Sequence, residues 1–571
     1  MNPSCARLLW SAWWVLLLIA WGGWYLAGSG VDLPDVPGAR FQCLSYAPFR
    51  GNQAPSDATL VIPLEQIQED LALLAPHTDC VRTYSTRMGV DAVVPWARQH
   101  DMKLLLGIWI GREAKDNALE IHSTLTAAAL HSQSIRAIIV GNEVLLRKEQ
   151  DARGLIHIIQ EVRRQTPLPL TYADVWEFWL KNPEVAEHVD FLTIHILPYW
   201  EDEPVSVAQS LQHVTKILAE VQAAFPGKKI LIGETGWPSA GRSRKQAVPS
   251  VVNQARFIRE FIALTWHKGV PYNLIEAFDQ PWKRFQEGTV GGHWGLFTGD
   301  RHLKFSLTGP VREHPYWPWL LGVGALLSAL LLKKTRRAAM PWWRPPLVAT
   351  LGHGAVTLVY LHGRQLIAAA GTPLDWFWGL AGGGLMLIAL ILLGLVLVIP
   401  DSRWSRAMPT DMAAVRAWLL RRRPPGKPPT TPDLLWGGVR SVTLVTASIL
   451  ALPLVMDGRY RDFPLAMFLA PALLLWNRTP TGRHPMEAWL AAILVACATL
   501  GMAVETPLNL EAMAWSAELL LLAWPLRALL RSEWHHLTGK TDDPALPGVD
   551  TSSAASASTP TTTPTAPPSA L

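Results

Sequence analysis

The stretch Ile232-Gly233-Glu234-Thr235-Gly236-Trp237-Pro238-Ser239 decides the fold of this chain. It ends a short apolar run, places a carboxylate at the end of that run, and then interrupts the run with glycine and proline. This pattern is typical of a strand that stops at Glu234. The stretch Ile138-Ile139-Val140-Gly141-Asn142-Glu143-Val144 repeats the arrangement with Glu143. The sequence therefore predicts two strands that each end on a glutamate.

Six further short apolar runs accompany these two, and helical patterns lie between them. The predicted strands cover 41–46, 80–84, 103–109, 137–142, 168–173, 189–196, 229–234 and 272–278, with helices such as 64–74, 92–100, 152–165, 207–224 and 253–268. Eight strands that alternate with helices predict an α/β fold, a (β/α)8 TIM barrel over residues 38–313. Because the chemistry of such barrels lies where the strands end, we expect Glu143 and Glu234 to face one mouth.

A pair of carboxyl groups at one barrel mouth is the arrangement that glycoside hydrolysis requires. In the retaining reaction one carboxyl protonates the leaving oxygen and the other attacks the anomeric carbon, with the two roughly 5–5.5 Å apart; inversion needs a wider gap. Spacing along the chain fixes neither that distance nor the order of the two roles. The exported region has no His-x-x-x-His or Cys-x-x-Cys pair and no glycine-rich phosphate loop. We therefore expect no metal and no cofactor, and a nucleotide-sugar synthase is disfavoured.

The composition indicates a second, membrane-embedded part. Of 571 residues, 49% are hydrophobic and 17% are charged, which is too apolar for an ordinary soluble protein. Long uncharged runs separated by arginine-rich patches fill most of the chain after Trp317. We therefore predict an all-α multi-span transmembrane domain of about seven helices over 314–535. With the N-terminal run, the predicted spans are 8–26, 316–332, 346–361, 376–399, 434–455, 464–476, 486–504 and 513–530.

The N-terminal run and the basic loops predict the orientation. The run is long and rich in tryptophan, which favours an uncleaved transmembrane signal anchor at 1–29 over a cleaved signal peptide; both interpretations export the barrel. Lysine and arginine content places the loops 333–345, 401–433 and 477–485 in the cytoplasm. These flanking patches also explain the net charge of +5. The lipid bilayer is therefore an expected partner, and nucleic acid is not.

The chain ends and the cysteines add two further expectations. The tail 536–571 is rich in serine, threonine, proline and alanine, and is predicted to be disordered in the cytoplasm. Four cysteines are too few for a disulfide framework. Cys43 and Cys80 fall on the first two predicted strands, where a disulfide is possible in an oxidising compartment. Neighbouring parallel strands offer awkward geometry for it, however, so two buried free thiols are favoured.

The predicted barrel resembles glycoside hydrolase family 17, the family of β-1,3-glucanases and β-1,3-glucanosyltransferases. The matching segments are Val140-Gly141-Asn142-Glu143, Gly233-Glu234-Thr235-Gly236-Trp237-Pro238 and Glu276-Ala277-Phe278-Asp279-Gln280-Pro281-Trp282-Lys283, supported by Val81-Arg82-Thr83-Tyr84, Leu106-Gly107-Ile108-Trp109-Ile110-Gly111 and His293-Trp294-Gly295-Leu296-Phe297. The resemblance implies that Glu143 is the general acid/base and Glu234 the nucleophile of a retaining reaction. It also implies that Asn142 binds the 2-hydroxyl of the sugar.

A larger set of residues at or just past the strand ends is expected to bind the substrate. Aromatic rings there either stack on sugars or pack in the core and rim: Tyr46, Tyr84, Tyr199, Trp200, Trp237 and Trp282. Glu276 and Lys283 contact sugar hydroxyls or pair with each other. Arg82 orients Glu234 or forms a structural ion pair. His195 departs from the plant members of the family, which have asparagine there, and this departure bears on the details of the sugar subsites.

Together with the orientation that the basic loops predict, the resemblance leads us to expect a bacterial enzyme anchored in the inner membrane, with a periplasmic barrel and a cytoplasmic C-terminus. Its substrate would be β-1,3-glucan, which it would hydrolyse or elongate and branch by transglycosylation; the sequence leaves the two outcomes open. A glucan synthase is a candidate partner. Two alternatives remain: a non-catalytic glucan-binding or sensing module, and a glucan-export scaffold built on the membrane helices. The presence of both glutamates argues against the first, and the scarcity of polar residues in the spans argues against a channel.

Overall fold

The computed structural model describes residues 3–335, 341, 343–422, 428–476, 478 and 485–538. Most of the predicted tail and parts of all three predicted basic loops lie outside these residues. The chain begins with one long helix, α1 (Pro3–Gly28), and then enters a parallel sheet. The seven strands are β1 (Leu44–Ser45), β2 (Cys80–Arg82), β3 (Lys103–Ile108), β4 (Ile135–Asn142), β5 (Leu170–Val175), β6 (Leu192–His195) and β7 (Ile230–Glu234).

The sheet closes into a barrel. Strands β1 to β7 pair in sequence order, and every pair is parallel. The eighth segment, 272–278, bridges β7 through Tyr272 and Ile232, and bridges β1 through Leu274 and Leu44. The predicted (β/α)8 barrel is therefore confirmed. Its last strand is made of isolated bridges and is less regular than the pattern predicts.

Helices lie between the strands and cover the outside of the sheet. They are α2 (Leu64–Leu74), α3 (Val93–Gln99), α4 (Ala114–Leu130), α5 (Ala152–Arg163), α6 (Trp176–Lys181), α7 (Val207–Ala224), α8 (Val251–Lys268) and α9 (Arg284–Gly291). Side chains satisfy free amides at two helix starts: Asp151 accepts from Gly154 N, and Ser250 accepts from Asn253 N. The largest hydrophobic cluster fills the layer between these helices and the sheet.

The barrel interior contains a disulfide between Cys43 and Cys80. The favoured expectation of two free thiols was therefore wrong. The register decides the outcome, because Leu44 pairs with Val81, which places the two cysteines opposite each other one step earlier. Their Cα atoms are 4.3 Å apart. Cys80 shares a face of β2 with Arg82, so the disulfide lies one layer below that arginine.

A helical region with its own hydrophobic cluster follows the barrel. Its helices are α10 (Trp317–Thr335), α11 (Arg344–Ala369), α12 (Pro373–Val398), α13 (Met412–Leu419), α14 (Thr431–Met456), α15 (Leu465–Leu475), α16 (Pro485–Glu505), α17 (Leu510–Ala523) and α18 (Arg527–Thr538). Among the described residues, five helical stretches are long and apolar enough to cross a membrane: Trp317–Thr335, Pro373–Val398, Thr431–Met456, Pro485–Glu505 and Leu510–Trp534. The predicted span in 464–476 forms a helix of 11 residues, which is too short to cross a bilayer unaided.

Loops of the barrel that follow β6, β7 and the eighth segment contact this helical region. Arg242 donates to the carbonyl oxygen of Arg461 (2.9 Å) and forms an ion pair with Glu505. The backbone N–H of Ser243 donates to Glu511 (2.9 Å). Because these loops lie at the carboxyl ends of the strands, the helical region packs beside the mouth of the barrel.

Candidate active site

Glu143 is held at the end of β4 by an unusual backbone. Gly141 and Glu143 both have left-handed conformations, with φ of 88° and 52°. Glycine adopts this conformation readily, whereas a residue with a side chain does so at a cost of about 1–2 kcal/mol. The amide of Glu143 donates to the carbonyl oxygen of Ala173 (2.7 Å), which stabilises the turn. The turn directs a side chain that is 22% exposed into the mouth of the barrel.

Glu234 ends β7 and is nearly buried, with 6% of its side chain exposed. Its Oε1 accepts hydrogen bonds from Arg82 Nη1 (3.0 Å) and from the Tyr84 hydroxyl (2.8 Å). Burial by itself would raise the pKa of Glu234, but His195 and Arg82, together with the Tyr84 hydroxyl, hold that pKa below its ordinary value. Glu234 is therefore an ionised carboxylate over most of the pH range, as a nucleophile requires.

The two carboxyl groups face each other across a short gap. One oxygen of Glu143, one oxygen of Glu234 and a ring nitrogen of His195 all lie within 4.8 Å of one another. The His195 ring lies between the glutamates, with Nδ1 2.8 Å from Glu143 Oε1 and Nε2 3.7 Å from Glu234 Oε1. This separation is nearer to the roughly 5–5.5 Å between the carboxyl groups of retaining glycosidases than to the roughly 6.5–9.5 Å of inverting ones.

Arg82 links the two strands that carry these glutamates. Besides its bond to Glu234, Nη1 donates to the carbonyl oxygen of Gly233 (2.9 Å), and Nη2 donates to the side-chain oxygen of Asn142. The guanidinium is buried at the centre of this network. It thus fixes the amide of Asn142 beside Glu143 as well as the carboxylate of Glu234.

Glu276 and Lys283 pair with each other at the eighth segment. Lys283 Nζ lies 2.8 and 2.9 Å from the two carboxylate oxygens of Glu276. Burial raises the pKa of Glu276 to about 7, although Lys283 acts against the shift. Burial alone would lower the pKa of Lys283, but Glu276 raises it above the ordinary value. The charge of Lys283 also lowers the pKa of Glu234.

The structure divides the expected aromatic residues into two groups. Tyr84 bonds to Glu234, and Trp200 and Trp282 are half-buried on the rim. The remaining three rings are buried and bond within the protein, which favours the packing alternative for them: Tyr46 bonds to Asp70, Tyr199 to the Arg242 carbonyl oxygen, and Trp237 to the Val248 carbonyl oxygen. Strand-end position alone does not distinguish a ring that faces the cleft from one that packs behind it.

Several residues near the pair were not expected from the sequence. Ser45 and Asn273 support it from below, since Asn273 Nδ2 bonds to Ser45 Oγ (2.8 Å) and to the Gly233 carbonyl oxygen (2.7 Å). Trp109, at the end of β3, is 40% exposed and carries the Arg147 guanidinium over its ring at 4.0 Å. The position of Trp109 at the end of a predicted strand was the available signal. Asn273 gave no signal, because it lies inside a predicted strand.

Glu143, His195 and Glu234 are also close enough together to hold a metal ion, and they are the only group of three such side chains among the described residues. The donor set fits poorly, because Glu234 already pairs with the Arg82 guanidinium, whose charge would oppose a bound cation. The arrangement is better suited to proton transfer and nucleophilic attack than to metal binding.

Comparisons with known proteins agree with this geometry. Residues 43–295 match the family model described as the BtgE/BtgC glycoside hydrolase domain. Glucan 1,3-beta-glucosidases of Arthroderma benhamiae and Schizosaccharomyces pombe are each 28% identical; the matches cover 43% and 42% of this chain and 85% and 79% of those proteins. The crystal structure of a family 17 β-1,3-glucanosyltransferase from Rhizomucor miehei is 25% identical, covering 47% of this chain and 98% of that one, with a TM-score of 0.42.

The matched residues include both strand-end glutamates, and they end before the helical region begins. The family match and the pair of neighbouring carboxyl groups therefore lie in the same part of the chain. Residues 43–295 therefore form a domain that is similar to the glycoside hydrolases of family 17.

Proposed function

We propose that this protein is a membrane-anchored retaining enzyme that cleaves β-1,3-glucan and passes the sugar to water or to another glucan. One observation carries the mechanism: oxygens of Glu143 and Glu234 lie within 4.8 Å of each other. The curated relatives act on 1,3-β-glucan according to their names, which supports the substrate. A binding-only module would need neither the close pair nor the network that keeps Glu234 ionised.

In the first step, the protonated carboxyl of Glu143 gives its proton to the glycosidic oxygen as Glu234 attacks the anomeric carbon. The bond between the anomeric carbon and the leaving oxygen breaks, and a glycosyl ester forms on Glu234. In the second step, Glu143 takes a proton from the acceptor hydroxyl, which attacks the anomeric carbon and releases the ester. Asn142, held by Arg82, is positioned to bond to the 2-hydroxyl as charge develops. Two inversions leave the β configuration unchanged.

The helical region would anchor this chemistry at a membrane, with 1–29 as a signal anchor, 38–313 as the catalytic domain, 314–535 as the membrane domain and 536–571 as a tail. Five sufficiently long apolar helices support the anchoring. Lys333 and Lys334 end α10, far from its barrel end, and the positive-inside rule would place them in the cytoplasm. The barrel would then face the periplasm of a bacterium. Labelling of single cysteines from either side of sealed vesicles tests this orientation.

Transfer is the outcome that we favour, because an enzyme anchored beside a membrane is placed to remodel newly exported glucan, with a glucan synthase as the candidate partner. The full-length protein in detergent should convert laminari-oligosaccharides into longer products, detected by mass spectrometry. Exclusively shorter products would show hydrolysis, and no reaction at all would refute the proposed substrate. Proton NMR of the first products should show the β anomer.

Substitution of the pair tests the mechanism. Glu143→Gln should reduce kcat by about 10²–10⁴-fold, since that is the usual contribution of a general acid. Glu234→Ala should be inactive, and azide should restore cleavage by attacking the anomeric carbon in the vacated space, giving a glycosyl azide of inverted configuration. Glu184→Gln is the matched control, because Glu184 is exposed and precedes β6 at the opposite end of the barrel.

A further inference from the structure

The loop 457–463, which joins α14 to α15 in the helical region, packs against the mouth of the barrel. Asp462 accepts a hydrogen bond from the Thr289 hydroxyl (2.5 Å), and the backbone of Tyr460 lies against Gly288, where an added Cβ would meet its carbonyl oxygen. Phe463 lies under the Arg242 guanidinium at 4.4 Å. The loop is thus fixed to the barrel at several points, and each barrel residue follows the end of a strand.

The same loop presents an aromatic surface together with Trp200 of the barrel. The rings of Tyr460 and Trp200 have centroids 5.9 Å apart, and Tyr460 is 39% exposed. Arg459 donates to the carbonyl oxygen of Trp200 (2.8 Å) and lies over its ring at 5.3 Å. The exposed carboxylate of Asp202 is 3.4 Å from Arg459. We refer to Trp200, Arg459, Tyr460 and Asp202 as the interdomain platform.

The interdomain platform continues from the catalytic pair. Trp200 follows His195 by five residues, in the loop after β6. Its ring packs edge-on against Trp294 (6.2 Å), and Trp294 packs against Gly236, two residues beyond Glu234. Glu287 immediately precedes Gly288, against which the Tyr460 backbone lies. Burial is the largest cause of the raised pKa of Glu287, and the charges of Glu143 and Glu234 raise that pKa further. The platform is therefore linked by packing, through Trp294, to the segment that follows Glu234.

The chemistry of the interdomain platform suits a neutral, hydroxyl-rich chain. Aromatic faces offer apolar contact to the C–H side of a sugar ring, and guanidinium and carboxylate groups bond to hydroxyls. The platform has a negative charge beside its positive one, which disfavours a phosphate or another polyanion. Two of its residues, Arg459 and Tyr460, lie outside residues 43–295, so the glycoside hydrolase domain alone does not contain the whole platform.

We propose that the helical region completes the substrate cleft: Tyr460 and Arg459, with Trp200, bind sugar residues of a glucan beyond those held in the barrel. This inference rests on the proposed glucan substrate and adds to it a length dependence. Long chains reach the interdomain platform while one sugar occupies the site between Glu143 and Glu234, and short chains do not reach it. The helices after the barrel would then contribute to substrate recognition as well as to anchoring.

The test measures binding and turnover separately on the full-length protein in detergent. Binding of laminaritriose and laminariheptaose is measured by titration calorimetry in the Glu234→Gln background, where the ligand is not consumed. Tyr460→Ala should weaken binding of the heptasaccharide about fivefold to tenfold and leave the trisaccharide unchanged. Tyr460→Phe, which keeps the ring, should bind both as the parent does. Tyr316→Ala is the control, an exposed tyrosine at the start of α10 and not part of the platform.

The outcomes separate this inference from the proposed function. If the wild-type protein binds the heptasaccharide but turns over neither ligand, the proposed reaction fails, and the platform is still judged by the binding of Tyr460→Ala. Equal losses for both ligands would show that Tyr460 acts through the docking of the domains, and would overturn the inference. Unchanged heptasaccharide binding in Tyr460→Ala, or no binding of it by the parent, would overturn the inference as well.

Discussion

His195 Nδ1 lies 2.8 Å from Glu143 Oε1, and the same ring presents Nε2 at 3.7 Å from Glu234 Oε1. One fully buried imidazole therefore touches the proposed acid/base and stands beside the proposed nucleophile. The sequence indicated only that His195 departs from the plant members of the family. In the structure, the histidine ring reaches both glutamates, whereas an asparagine at the same position would be too short to do so.

His195→Asn should reduce kcat for laminari-oligosaccharides by about tenfold to a hundredfold, because Glu143 loses the contact that aligns it. The loss should be much smaller for a dinitrophenyl glycoside, whose leaving group departs without protonation. Comparing kcat for the two substrates checks the positioning role. Equal losses on both would show that the ring supports the fold or the nucleophile and does not align the acid.

Arg82→Met should move the acid limb of the kcat/KM profile to higher pH. Arg82 lowers the pKa of Glu234, and the nucleophile must be ionised, so the wild-type enzyme stays active as the pH falls towards that lowered pKa. Without the guanidinium the pKa of Glu234 rises, and activity is lost at a correspondingly higher pH. Arg82→Lys retains the charge and should shift the limb less. Coincident limbs in wild type and Arg82→Met would contradict this assignment.

Glu276 should make the protein less stable as the pH rises through neutrality. Burial raises its folded pKa to about 7, so the folded state binds a proton that the unfolded state releases near its ordinary pKa. This contribution to stability is fully present below the unfolded pKa and is lost as the pH rises through about 7. The thermal midpoint of the full-length protein should therefore fall between pH 5 and pH 8, by roughly a few degrees.

Glu276→Gln supplies the control for that slope. The variant keeps a neutral side chain at every pH, so its thermal midpoint should vary less across the same pH interval. A slope equal to that of the wild-type protein would assign the pH dependence to other groups.

The disulfide between Cys43 and Cys80 should be required for full stability. It closes a loop with a sequence separation of 37 residues inside the barrel, and such a bond stabilises a domain by about 2–4 kcal/mol. Cys43→Ser should therefore lower the thermal midpoint by several degrees, and reductant should then have no further effect on the barrel. Reduction of the denatured wild-type chain should add two reactive thiols to the count. An unchanged count would mean that the cysteines are free.

Much of the barrel follows from local pattern. The helices at 64–74 and 207–224 were predicted with the bounds that the structure has, because apolar spacing and flanking residues act within a few turns of chain. The strand ends that carry Glu143 and Glu234 could also be predicted, since a glycine interrupts an apolar run at each, followed by a proline after Glu234. The last strand was less regular than its pattern, because bridges to two neighbours replace a continuous ladder.

The composition, the two strand-end glutamates and the alternation of strands with helices determined the fold class, the reaction type and the presence of apolar helices. Tertiary structure alone decided which side chains meet. Strand register joined Cys43 to Cys80, burial removed Tyr199 and Trp237 from the cleft, and docking of the helical region brought Tyr460 beside Trp200. The physical reason is the range of the interactions: propensity and periodicity act between neighbours in the chain, whereas register, burial and docking depend on residues that are tens to hundreds of positions apart.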